Sequence, residues 1–193
     1  MIQQYTHTIT KEAISQLPVE EFTGRIIVID TESDTEKAIS YLSGFKAVGF
    51  DTETRPSFKK GQRFKISLMQ ISTDEACFLF RLNRINIPEV LENFLADENI
   101  LKIGLSLRDD FGAIRKRTET KPVNFIDLQN FVKDFGIEDA SLQKIYAIVF
   151  QKKISKGQRL SNWEADVLTE AQKKYAALDA WACLKLYNHL KEA

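Results

Sequence analysis

Lys46-Ala-Val-Gly-Phe-Asp-Thr-Glu-Thr54 is an apolar run that ends in two carboxylates one residue apart. Alternation along an extended strand puts residues i and i+2 on one face, so Asp51 and Glu53 point to the same spot. Like charges held there repel unless a cation or a proton lies between them. The run reads as a buried strand whose end supplies half of a metal site.

Two more strands follow. Lys65–Ser72 alternates with period two, Ala76–Phe80 is apolar, and Ser72-Thr-Asp-Glu75 marks the turn between them, so a meander is the natural arrangement. Upstream, Gly24–Asp30 reads as a strand and Ser33–Leu42 as a helix with a Ser or Asp cap. Downstream, a helix at Pro88–Leu95 precedes a buried strand at Ile100–Leu105 and a helix from Arg108 to Arg117. A short strand at Asn124–Leu128 leads into helical periods over Leu128–Phe135 and Ser141–Val149, and a long helix over Thr169–Leu190 closes the pattern. Antiparallel strands followed by alternating strands and helices predict an α/β fold on one mixed sheet.

The 193 residues fit one domain of ordinary size. It is expected to span 24–193, with 1–23 as an arm that is packed or flexible. Hydrophobic residues at 44% and charged residues at 28% suit a soluble globular protein, and no stretch approaches the roughly 20 apolar residues of a membrane span. The first ten residues lack a basic start and an apolar core, so a cytoplasmic protein with no membrane partner is expected. Cys77 and Cys183 sit in apolar contexts outside any CxxC pair and read as buried free thiols.

Twenty-seven basic and 27 acidic residues cancel, so any attraction to nucleic acid must be local. Two basic segments qualify, Arg55–Lys65 directly after the acid pair and Lys152–Arg159. Either segment taken alone also fits a solvated loop.

Further acids stand in matching contexts. Asp110 opens a helix just after the buried strand, and Asp179 lies in the terminal helix one turn beyond Tyr175, on the same face. Ala176, Ala177, Ala180 and Ala182 would let that helix approach a sheet closely. An aspartate among such residues is costly to bury without a metal or hydrogen-bonding partner.

With these residues the sequence resembles the DEDD superfamily of 3′-5′ exonucleases, in the tyrosine branch that includes ribonuclease D and the Werner-type exonuclease domain. The resemblance runs from about Gly24 to the C-terminus. Its first motif matches Phe50-Asp-Thr-Glu-Thr54 with Ser67-Leu-Met-Gln-Ile71, its second Lys102–Ile114, and its third Tyr175-Ala-Ala-Leu-Asp179. Arg159-Leu-Ser-Asn-Trp-Glu164 resembles the lead-in to the third motif, with Trp163 read as a packing residue or a surface for a terminal base. Of the adjacent Asp109 and Asp110, Asp110 is the expected ligand, because Ile114 four positions on sits where the family has a core-facing leucine.

The resemblance implies a ribonuclease-H-like mixed sheet of five or six strands flanked by helices. It implies hydrolysis of terminal phosphodiesters of DNA or RNA, with release of 5′-mononucleotides from a single-stranded or otherwise 3′-ended substrate. Asp51, Glu53, Asp110 and Asp179 would hold two Mg²⁺ or Mn²⁺ ions, with Asp51 bridging both. Tyr175 would orient the attacking water. Arg55, Lys59, Lys60 and Arg63 would meet phosphates, and Phe58 or Phe64 would stack on a base. Preference leans slightly toward DNA or mixed specificity. The alternative is an inactive member of the fold that binds nucleic acid or protein. Asp127 reads as a helix cap, and His7 and His189 fall outside the motifs, His189 near enough to a helix end to satisfy carbonyls.

Overall fold

The computed structural model describes residues 5–192. Its sheet has six strands: β1 (Arg25–Ile29), β2 (Ala47–Thr54), β3 (Ile66–Ser72), β4 (Ala76–Phe80), β5 (Leu101–Gly104) and β6 (Phe125–Asp127). Their order is β1-β4-β3-β2-β5-β6. The β2-β3-β4 meander is antiparallel as expected, while β1, β5 and β6 add in parallel, giving the mixed sheet.

Among the described residues there are eight α-helices. They are α1 (Lys11–Ser15), α2 (Glu32–Leu42), α3 (Leu82–Ile85), α4 (Glu89–Ala96), α5 (Leu107–Ile114), α6 (Leu128–Phe131), α7 (Leu142–Phe150) and α8 (Glu170–Glu192). The helical period over Leu128–Phe135 divides, its second half being a 3₁₀ turn at Val132–Phe135 that ends on Gly136 in the left-handed region, φ 76°. Neither α1 nor α3 has enough residues to carry a periodic pattern, and the sequence did not reveal them. The cap of α2 is Thr31, whose hydroxyl accepts from the Asp34 N–H, not a Ser or Asp.

The helices leave both faces of the sheet covered. One core packs Leu68, Leu79 and Ile103 against α7 and α8, and the other packs Phe50, Met69, Ile71 and Phe80 against α2, α4 and α5. Every residue of β3 is therefore buried, although its period-two pattern reads as half-exposed. Ser67, Gln70 and Ser72 are polar side chains carried into that interior.

Close approach of α8 to β2 depends on Gly49. A Cβ there would lie 1.9 Å from the Ala180 carbonyl oxygen, so only glycine admits the helix that carries Tyr175 and Asp179.

The described residues of the arm make contacts with the domain; residues 1–4 of it lie outside them. Ile14 and Phe22 are buried, and the Glu20 N–H donates to the Lys153 carbonyl at 2.9 Å. Cys77 and Cys183 are buried free thiols. Among the described residues no helix is long and apolar enough to cross a membrane.

Candidate metal centre

β2 ends where its strand alternation presents Asp51 and Glu53 on the α8 face, and α8 brings Asp179 onto them. One carboxylate oxygen from each of the three lies within 4.8 Å of the others, the one such group among the described residues. Burial raises all three carboxyls, and the neighbouring carboxylates add to it at Asp51 and Glu53. Asp51 is driven well above the usual carboxylate range by burial, then by Glu53, Asp179 and Asp110. Glu53 reaches about 8 through burial and the charges of Asp179 and Asp110, with Arg159 opposing. Asp179 reaches about 7 through burial, held down by a hydrogen bond from Tyr175 and the charge of Lys156.

Asp110 comes from the first turn of α5, which packs on the opposite face of the sheet. Its carboxylate accepts from the Thr52 hydroxyl, and it stands outside the tight group of three although Asp51 and Glu53 both feel its charge. Burial lifts it to about 6 against that hydrogen bond. Asp109 is exposed, while Ile114 is fully buried in the core. Thr52 was not singled out in the sequence, since alternation turns it away from its neighbours and hides its contact with a helix 58 positions on.

The turn between β5 and α5 is held by Asp127. Its carboxylate accepts from the N–H groups of Ser106 and Leu107 at 3.0 and 2.9 Å and from Gln129 at 3.0 Å. It thus caps α6 as expected and also fixes Ser106, which sits at φ 62° in the left-handed region. His189 does not satisfy helix carbonyls; its ring packs 5.0 Å from that of Phe150 and its buried Nε2 has no partner. His7 pairs with Glu138 at the surface. Trp163 is fully buried with its ring 6.0 Å from Tyr175, so it supports the tyrosine from behind and offers no surface to a base.

The two basic segments differ in placement. Arg55 pairs with Glu164 at 3.2 Å and lies over Phe64, so both are engaged within the protein. Lys59, Lys60 and Arg63 are exposed, and Phe58 is 82% exposed. In the second segment Lys152 pairs with Glu20 and Lys153 donates to the Ser15 carbonyl, both structural roles. Lys156 and Arg159 instead line a cleft of about 310 Å³ together with Ser106, Gln129, Tyr175 and Asp179. These two cations border the acidic centre, a placement that sequence distance alone could not reveal.

The donor set is all oxygen, and hard divalent cations such as Mg²⁺ and Mn²⁺ prefer it. Three half-buried carboxylates at this spacing stay ionised together only beside positive charge, so the residues present fit such ions.

A family model described as 3′-5′ exonuclease matches residues 26–193. The chain is 32% identical over 184 residues to the bifunctional 3′-5′ exonuclease/ATP-dependent helicase WRN of Mus musculus, covering 90% of this chain and 13% of that one. It is 31% identical over 196 residues to a 3′-5′ exonuclease of Arabidopsis thaliana, covering 91% of this chain and 66% of the relative. The chain thus spans less than two thirds of either relative. Trypanosoma brucei RNase D, solved in complex with RNA U12, superposes with a TM-score of 0.76 at 23% identity, over 88% of this chain and 63% of that one. That likeness shows a shared fold, the ribonuclease-H-like mixed sheet.

Proposed function

Because the chain belongs to the ribonuclease D and Werner-type family of 3′-5′ exonucleases, we propose that it is itself a metal-dependent 3′-5′ exonuclease acting on DNA, RNA or both. The observation that carries this reading is the half-buried group of Asp51, Glu53 and Asp179, one carboxylate oxygen of each lying within 4.8 Å of the others. Members of the family are typically metal dependent. In this proposal Asp51, Glu53, Asp110 and Asp179 hold two Mg²⁺ or Mn²⁺ ions. Such ions activate a water for attack on phosphorus and stabilise the leaving oxygen.

The remaining work falls to the chain. Burial, followed by the charges of Asp179 and Glu53, raises the Tyr175 hydroxyl far above its usual range. It therefore stays protonated and is no base; with its one proton donated to Asp179, its oxygen accepts from a water and so orients it. Its hydrogen bond to Asp179 fixes its direction. Lys156 and Arg159, in the cleft wall, are placed to meet the phosphates of a bound strand. The exposed loop with Phe58, Lys59, Lys60 and Arg63 offers a second contact by stacking and charge.

A test uses 5′-labelled DNA and RNA oligonucleotides, linear and circular, with Mg²⁺ or Mn²⁺. The expected result is stepwise shortening of the linear strands from the 3′ end, with 5′-mononucleotides as products and circles intact. No shortening would support a binding module on the same fold. Cleavage of the circles would make the chain an endonuclease.

A further inference from the structure

Gln70 is fully buried, and neither its Nε2 nor its Oε1 has a hydrogen-bond partner within the protein. It lies on β3 directly opposite Asp51 of β2. Cross-strand partners share a face of the sheet with Cβ atoms about 4.5–5.5 Å apart, so the carboxamide stands beside the base of the Asp51 side chain.

Its other surroundings offer little. The flanking Leu68 and the cross-strand Leu79 belong to the apolar core under α8. The nearest polar neighbour along the strand, Ser72, already spends its hydroxyl on the Thr73 carbonyl at 2.9 Å. A buried amide left without partners costs about 1–3 kcal/mol, whereas an apolar side chain of similar volume would carry no such cost. Packing alone therefore does not account for glutamine at this position.

We propose that Gln70 is a positioning residue for the metal centre, its carboxamide N–H donating to the Asp51 carboxylate when that carboxylate engages a cation. A carboxylate has two oxygens and about four acceptor sites, so an oxygen facing a cation leaves capacity for a donor behind it. Groups in this supporting position fix ligand orientation, and their loss typically weakens metal binding about 10- to 100-fold. The inference rests on the exonuclease reading, since it requires Asp51 to hold a divalent ion.

The test is Mn²⁺ titration by calorimetry of the wild type, Gln70→Met and Gln70→Leu, with the metal-free melting temperature of each measured alongside. Methionine keeps the length and volume of the side chain, and leucine provides a second apolar variant in case one fails to fold. The expected result is Mn²⁺ binding weakened about 10- to 100-fold while the metal-free melting temperature is unchanged or higher, because an unpartnered amide has been removed. Affinity within about twofold of the wild type in a folded variant would make Gln70 a core residue only and overturn the inference, leaving the exonuclease reading intact. If neither variant folds, the carboxamide serves the fold itself and the inference is likewise overturned. Absence of Mn²⁺ binding by the wild type would overturn both.

Discussion

Asp51, Glu53, Asp110 and Asp179 titrate against their own fold. Unfolded carboxyls ionise near pH 3.9 for Asp and 4.3 for Glu. In the folded chain burial raises Glu53 to about 8, Asp179 to about 7 and Asp110 to about 6, with neighbouring carboxylates adding at Glu53 and Asp110, and Asp51 also stands well above its usual range. Between these limits the folded state binds more protons than the unfolded one, so stability falls as pH rises. The contribution is fully present below about pH 4 and lost as pH climbs through about 8. Melting curves of the metal-free protein should therefore drop steadily from pH 5 to pH 8.5, and saturating Mn²⁺ should flatten that slope by replacing the protons. A metal-free curve that does not fall with pH would contradict this electrostatic account.

Asp51→Asn removes one of the clustered charges. At pH 8.5 it should raise the metal-free melting temperature, by about 2–4 °C for each kcal/mol of repulsion relieved, while abolishing strand shortening. Asp51 and Glu53 were legible in the sequence because strand alternation is strict, as were Tyr175 and Asp179 through helical spacing. Lys156 and Arg159 were visible only as charges, since no local period tells which wall of the molecule a loop will join.

At the scale of elements, the site is a junction between the end of β2 and the α8 helix, and Gly49 sets their separation. Gly49→Ala would force a Cβ to within 1.9 Å of the Ala180 oxygen. Backbone cannot yield there without moving the helix. Overpacking of this kind costs about 1–3 kcal/mol or more, and the displaced helix carries Tyr175 and Asp179 away from Asp51. The expected outcome is a folded variant with a lower melting temperature and a loss of nuclease activity larger than the loss of stability accounts for. Full activity would show that the helix has room to shift without harm. The alanines of α8 announced a close approach, but the glycine that receives them lies more than a hundred residues earlier, and only the tertiary fold pairs the two. The division of the Leu128–Phe135 helix escaped the sequence reading because each half has only four residues, too few to separate a period of 3.0 from one of 3.6.

At the scale of the whole molecule, the described part of the arm packs on the domain although all of it precedes the segment matched by the family model. Glu20 anchors it. Its carboxylate accepts from the Tyr146 hydroxyl at 2.6 Å and pairs with Lys152 and Lys185 at 3.0 Å each. Burial alone would raise this carboxyl, but those hydrogen bonds pull it down to about 2. Val19, Glu21 and Phe22 of the same segment line a cavity of about 190 Å³ that extends to Tyr175, so the anchor also shapes the neighbourhood of the centre. Glu20→Ala would strand the buried Tyr146 hydroxyl at a cost of about 1–3 kcal/mol, measurable as a lower urea midpoint. An unchanged midpoint would mean the arm contributes nothing to stability. No sequence pattern could disclose this contact, since its partners lie 126 to 165 positions away.

The measurement that tests the central claim most directly is a crystal of the protein soaked with Mn²⁺ and a nucleoside 5′-monophosphate, read by anomalous scattering. The account predicts manganese bound by the carboxylates of Asp51, Glu53 and Asp179, with Asp110 serving a second ion and the nucleotide phosphate against them. Manganese elsewhere, or a centre neutralised by Lys156 or Arg159 with no ion present, would contradict it.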